Sequence, residues 1–147
     1  VSLDRKCRIS VKEACDGDRL QAGTAYLAPG GKHLLAENDN GEHILLRTGN
    51  GPPENGCRPA VDVLLRSAAK AVNQRMVAVI LTGMGNDGTR GLAALKEKDV
   101  FVIAQDEASS VVWGMPGNAV REGYVDEVVP LDRIIPSILA VVKKEPG

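Results

Sequence analysis

Along the first third of the chain, apolar and polar positions alternate in short runs. Arg8-Ile9-Ser10-Val11-Lys12-Glu13 alternates with period two, which predicts a half-buried strand. Asp16-Gly17-Asp18 has the chemistry of a turn. Thr24-Ala25-Tyr26-Leu27-Ala28 follows, then Pro29-Gly30-Gly31, then the run His33-Leu34-Leu35-Ala36. Asn38-Asp39-Asn40-Gly41 makes a second turn before His43-Ile44-Leu45-Leu46-Arg47. Short apolar runs parted by Gly and Asn predict an antiparallel hairpin or small meander. Thr48 to Arg58 is rich in Gly, Pro and Asn and is expected to be a loop.

From Ala60 onward the period changes. Val61, Leu64, Leu65, Ala68, Ala69 and Val72 fall at helical spacing, with Pro59 at the start. Met76 to Leu81 is a continuous apolar run, the pattern of a strand buried on both faces. Gly88 to Lys98 is expected to be a helix with Leu92 and Leu95 inward, and Phe101 to Ala104 a second buried strand. A short helix over Pro116 to Glu122, a weaker strand over Val125 to Val129 and a helix over Asp132 to Lys144 complete the chain. This alternation predicts an α/β fold: three layers, α/β/α, around a mostly parallel doubly wound sheet. Ligands of such sheets bind beyond the carboxyl ends of the strands. The loops that matter are therefore Thr82 to Gly88 and Gln105 to Met115.

Composition narrows the function classes. The 147 residues are 44% hydrophobic and 25% charged, ordinary for one globular domain. Eighteen Lys and Arg against 19 Asp and Glu give a net charge of -1, without the basic footprint of nucleic-acid binding. Lys143-Lys144 is too short for a polybasic membrane patch, and no apolar run is long enough to span a bilayer, so no membrane insertion is expected. Aromatics are 3%, so Val, Leu, Ile and Ala build the core. Cys7, Cys15 and Cys57 form no CxxC pair and are expected as free thiols in a reducing, cytoplasmic setting. The first residues, Val1-Ser2-Leu3-Asp4, lack an initiator Met, as expected of a piece cut from a longer protein.

The most informative segment is Ile80-Leu81-Thr82-Gly83-Met84-Gly85-Asn86-Asp87-Gly88-Thr89, which leads from a buried strand into a helix. Gly83, Gly85 and Gly88 spell G-x-G-x-x-G, and Asp106 follows 18 residues after Gly88. That is the outline of a dinucleotide-binding fingerprint. Electrostatics speaks against it. A pyrophosphate would rest on the amides at the helix start, where the Asp87 carboxylate would repel it. The unit also comes late in the chain, so no nucleotide cofactor is expected. At a helix start, the partial positive charge and free amides favour an ionised aspartate. A carboxylate held there is suited to orient a histidine and to stabilise it when protonated, the acid's role in a Ser-His-Asp triad. It is equally suited to cap the helix.

The remaining triad members do not emerge from the residues. Ser2, Ser10, Ser67, Ser109, Ser110 and Ser137 lie in no G-x-S-x-G elbow. His33 and His43 fall on the expected meander, where packing or solvation is their expected fate, and their spacing suits no metal site.

The segment Ile80 to Gly88 resembles the signature loop of the chemotaxis methylesterase family, CheB. Ala104-Gln105-Asp106-Glu107-Ala108-Ser109-Ser110-Val111-Val112-Trp113-Gly114-Met115-Pro116 is similar to a second block of that family. Ala28 to His33 and Gly51 to Asp62 resemble two more, and the four lie in the family's order across almost the whole chain. The resemblance implies hydrolysis of γ-glutamyl methyl esters on the cytoplasmic helices of chemoreceptors, with deamidation of receptor glutamines in many members. It implies a serine nucleophile and a histidine base, with Asp87 as the triad acid. Met84 corresponds to a methionine beside the active centre, which sets Gly83, Met84 and Gly85 in the neighbourhood of the oxyanion. In many members a phosphorylatable receiver domain precedes the catalytic domain and blocks the site until activated.

The family's serine and histidine blocks do not occur in this sequence. The expectation is a single methylesterase catalytic domain, residues 1–147, short at its N-terminus by one βαβ unit, about 30 residues or more. The chain then supplies only the Asp of the triad. By itself it is expected to be inactive, and the alternative is a fragment that serves as a binding or interaction module. His33 maps onto the Pro-Gly-Gly block, away from the family's base. Cys57 stands where many members have histidine, and nothing in the sequence explains it.

Overall fold

The computed structural model describes residues 2–143, with side chains from Asp4 onward. Two units divide the chain, Val1–Asn73 and Gln74–Gly147.

In the first unit, helix α1 (Ser2–Lys6) precedes strands β1 (Ser10–Glu13), β2 (Thr24–Leu27), β3 (His33–Asp39) and β4 (His43–Gly49), and helix α2 (Val61–Ala71). β3 and β4 form the expected antiparallel hairpin, with Asp39 opposite His43 and His33 opposite Gly49. Its turn places Asn40 and Gly41 at positive φ, 53° and 79°, a conformation that Asn and Gly adopt at least cost. α2 lies along β3: Ser67 Oγ accepts the Ala36 N–H at 2.9 Å, and Asn38 Nδ2 donates to the Ala71 carbonyl at 2.9 Å. Ala14, Leu34 and Leu46 form a small core, with Tyr26, Ala28 and Leu64 packed on it.

β1 and β2 depart from the expected meander. They pair in parallel, Ser10 opposite Thr24 and Glu13 opposite Leu27. The linker makes no tight reversal. It runs out beside β4, where Arg19 bridges Leu45 in antiparallel fashion and the Leu20 N–H donates to Ile44 O at 2.8 Å. The chain then returns and enters β2 in the same direction as β1.

In the second unit, β5 (Met76–Ile80), β6 (Val100–Gln105) and β7 (Glu127–Val129) form a parallel sheet in the order β5-β6-β7. Helices α3 (Thr89–Leu95) and α4 (Met115–Arg121) make the crossovers, and α5 (Ile134–Val142) follows a short 3-10 turn, Leu131–Arg133. The α/β class with a parallel sheet and a separate antiparallel hairpin is as expected. β6 is central, and Val102, Ile103, Ala104 and Gln105 are all buried. β5 is less covered than its apolar run suggests: Ala78 and Ile80 are buried, but Met76, Val77 and Val79 are half-buried, and Leu81, just beyond the strand, is 45% exposed. α3 stops at Leu95, where Lys96-Glu97-Lys98-Asp99 offers no apolar side chain to hold a further turn against the sheet. The expected last helix begins with the 3-10 turn, and its final residue, Lys144, lies outside the described residues. No described helix is long and apolar enough to cross a membrane.

Candidate active site

The loops at the carboxyl ends of β5 and β6 are tied together at their roots. β5 and β6 pair from Met76–Val100 to Ile80–Ala104. Beyond that point a side chain continues the connection: Gln105 Oε1 accepts the Thr82 N–H at 2.8 Å. Thr82 Oγ1 donates to Val112 O at 2.9 Å and lies 3.0 Å from the Val112 N–H. The Gly83 N–H donates to Val112 O at 3.0 Å, and the Gly83 carbonyl accepts the N–H groups of Gly114 and Met115 at 3.0 and 2.8 Å. Gly83 and Trp113 thus form a parallel bridge. Asn118 Nδ2, on α4, donates to Gly85 O at 2.9 Å.

The glycines acquire a packing explanation. A Cβ on Gly83 would lie 2.7 Å from Met115 Sδ, and one on Gly114 would lie 2.8 Å from both Gly83 O and Gly85 N. Gly85 and Gly88 take φ of 86° and 101°, the left-handed region that disfavours a side chain. The G-x-G-x-x-G spacing is accounted for by the Met115 side chain packed against Gly83 and by the positive φ of Gly85 and Gly88. Asp106, the acid at ribose spacing in the nucleotide reading, is engaged locally: its Oδ1 accepts the Ser109 N–H at 3.0 Å and the Ser109 hydroxyl at 2.7 Å.

Asp87 is 5% exposed, at the end of this loop. The helix cap is Gly88 and α3 begins at Thr89, so Asp87 stands one residue outside the cap, not at it. Gly83 is half-buried, Gly85 is exposed, and Met84 projects from the loop at 81% exposure. Val111 and Val112 are also exposed on the facing loop.

Sequence reasoning missed the residues that hold this arrangement. Gln105 is 1% exposed and uses its whole amide, with Nε2 donating to Ser109 O at 2.9 Å and to Ser109 Oγ at 3.2 Å. Trp113 Nε1 donates to the Gln105 carbonyl at 2.8 Å, and the Arg121 guanidinium lies 6.0 Å from the Trp113 ring centre. An amide at the end of an apolar strand was the signal available, since a buried amide must be fully paired.

The histidines behave as expected of packed residues. His33 is 3% exposed; Nε2 donates to Pro52 O at 2.8 Å and Nδ1 accepts the Ala60 N–H at 3.2 Å. Both ring nitrogens are committed, which selects the neutral Nε2–H form and leaves none free to act as a base. The half-buried His43 lies on β4. Among the described residues no three His, Cys, Asp or Glu gather in a metal-holding group. Asp18, Lys12 and Arg47, all in the first unit, have displaced pKa values. Asp18 is held below the usual carboxylate range by its hydrogen bond from Lys12, and Lys12 is raised by the same bond. Arg47 is raised by its hydrogen bond to Glu37.

The family described as CheB methylesterase matches residues 1–138 of the chain. The chain belongs to the CheB methylesterase family. A protein-glutamate methylesterase/protein-glutamine glutaminase of Desulfotalea psychrophila is 49% identical over 144 residues, which are 97% of this chain and 40% of that protein. A protein of the same name, numbered 2, from Xanthomonas oryzae pv. oryzae is 50% identical over 139 residues, 95% of this chain and 38% of its own length. The crystal structure of the Thermotoga maritima CheB methylesterase catalytic domain superposes with a TM-score of 0.90 at 39% identity, covering 95% of this chain and 74% of that one. The chain therefore spans about two fifths of the length of these curated CheB relatives.

Proposed function

We propose that this CheB chain is part of a methylesterase catalytic domain that hydrolyses γ-glutamyl methyl esters on chemoreceptor cytoplasmic helices and deamidates receptor glutamines. The serine and the histidine come from residues outside this sequence, and Asp87 is the acid of the triad. In the first step, Asp87 accepts a hydrogen bond from the imidazole and stabilises it as it takes the serine proton. The serine oxygen attacks the ester carbonyl, methanol leaves, and water releases the acyl group from the serine. The loop at Gly83, Met84 and Gly85 lies in the neighbourhood of the oxyanion, which backbone amides stabilise. A receiver domain elsewhere in the full-length protein controls access.

The observation that carries the reading is the burial of Asp87 in a loop clipped to its neighbour at the carboxyl end of a parallel strand. Support comes from the names of its relatives, which are methylesterases and glutaminases. The experiment is Asp87→Asn in the full-length protein, read by methanol release from methylated receptor. Turnover is expected to fall by about 10⁴-fold, the cost of a neutral acid that leaves the histidine in the wrong tautomer. Retention of most of the rate would overturn the role of Asp87. Turnover by the 147 residues alone would overturn the claim that the nucleophile and base come from outside them.

A further inference from the structure

We propose that Gln105 is a positioning residue for the acid of the site: its side-chain amide locks the loop after β5 to the loop after β6 and so sets where Asp87 stands. The inference rests on the reading of Asp87 as the triad acid.

The β5–β6 ladder ends at Ile80–Ala104, and the loop that ends in Asp87 begins two residues later. At that root the first tether is Gln105 Oε1, which holds the Thr82 N–H at 2.8 Å. The other end of the same amide grips the second loop, at Ser109 O and Ser109 Oγ. Ser109 is itself fixed by Asp106 and by the Leu131 N–H, which donates to Ser109 Oγ at 3.0 Å. The Gln105 carbonyl anchors the Trp113 indole. Trp113 is followed directly by Gly114 and Met115, whose amides clasp Gly83. One residue therefore sits at both ends of the clip that holds Thr82 to Gly85.

The chemistry suits positioning better than stability. A hydrogen bond formed on folding contributes modestly net, whereas an apolar side chain at a 1% exposed strand end would be favoured by burial alone. What the amide adds is direction: an acceptor facing one loop and donors facing the other, in one plane. A triad acid needs that, because small misplacements of a group that orients another are costly in rate.

The test is a double-mutant cycle in the full-length enzyme, with methanol release from methylated receptor as readout. Gln105→Met keeps the length of the side chain and removes every hydrogen bond of its amide. It is expected to lower kcat about 10- to 100-fold while KM stays within about twofold. In the Asp87→Asn background the same substitution is expected to lower kcat by no more than about twofold further, because the group being positioned is already disabled. An equal loss in both backgrounds, an unchanged kcat, or a change confined to KM overturns the proposal. Asp87→Asn with unimpaired turnover overturns the reading of the acid itself, and this inference with it. If Gln105→Met does not fold, Gln105→Asn takes its place. It keeps the amide uncharged but shortens its reach by one methylene, so that it cannot hold Thr82 and Ser109 together. The same coupling at smaller amplitude is expected, and additive losses there overturn the proposal.

Discussion

Gly114 lies so close to Gly83 that a Cβ on Gly114 would come within 2.8 Å of the Gly83 carbonyl oxygen. The contact is backbone against backbone, so no side chain can turn aside to relieve it. Gly114→Ala is therefore expected to destabilise the protein by about 2–3 kcal/mol, within the range of overpacking, and to impair turnover by shifting the Gly83–Asp87 loop. Gly30→Ala is the control: nothing lies within 4 Å of its Cβ position, and stability should change by less than about 0.5 kcal/mol. Denaturant unfolding of both variants checks the pair.

Thr82 Oγ1 lies within hydrogen-bonding distance of both the N–H and the carbonyl of Val112, and Trp113, the single tryptophan of the chain, is the next residue. Thr82→Val keeps the shape and removes both contacts. The expected cost is modest, about 0.5–1.5 kcal/mol, because Thr82 and Val112 are exposed and water can replace the lost partner. The more telling readout is fluorescence. Trp113 emission should shift to the red as the loop loosens, and an unchanged spectrum would mean that the hydroxyl does not hold it.

His33 joins the loop at Pro52 to the start of α2 at Ala60 through its two ring nitrogens. His33→Ala leaves the buried Ala60 N–H unpaired, releases the carbonyl of the exposed Pro52 and opens a cavity, for an expected loss of about 2–4 kcal/mol. His43→Ala, on the half-buried hairpin strand, should cost less than about 1 kcal/mol. Equal costs in thermal unfolding would contradict the assigned hydrogen bonds.

Asp18 and Lys12 meet at 2.8 Å on the surface of the first unit. The folded-state pKa of Asp18 is lowered, so its contribution is present above the usual carboxylate range and fades as pH falls through the folded value. The folded-state pKa of Lys12 is raised, so its contribution holds below the ordinary lysine value of 10.5 and is lost as pH rises through the folded one. Lys12→Met should move the Asp18 carboxyl upward in an NMR titration. The shift will not return fully to the ordinary value, because the Cys15 N–H still donates to Asp18.

Much of this was legible in the residues because it depends on local chemistry. Helical spacing from Val61, continuous apolar runs at Met76 and Phe101, and the Asn-Gly turn at Asn40 each state a backbone preference that needs no distant partner. Asp87 drew attention for the same reason, standing between a strand and a helix.

What the tertiary structure alone decided involves partners far apart in sequence. Alternation marked Ser10–Glu13 as a strand, but its parallel pairing with Thr24–Leu27 follows from the detour of the linker beside β4. The shift of the helix cap from Asp87 to Gly88 depends on a positive φ that composition cannot reveal. Gln105 and Gly114 carry no periodic signal. Their roles exist only because two strand ends converge and bring Thr82, Gly83, Ser109 and Trp113 within hydrogen-bonding range. Periodicity reports which way a side chain faces, and only packing determines what it meets there.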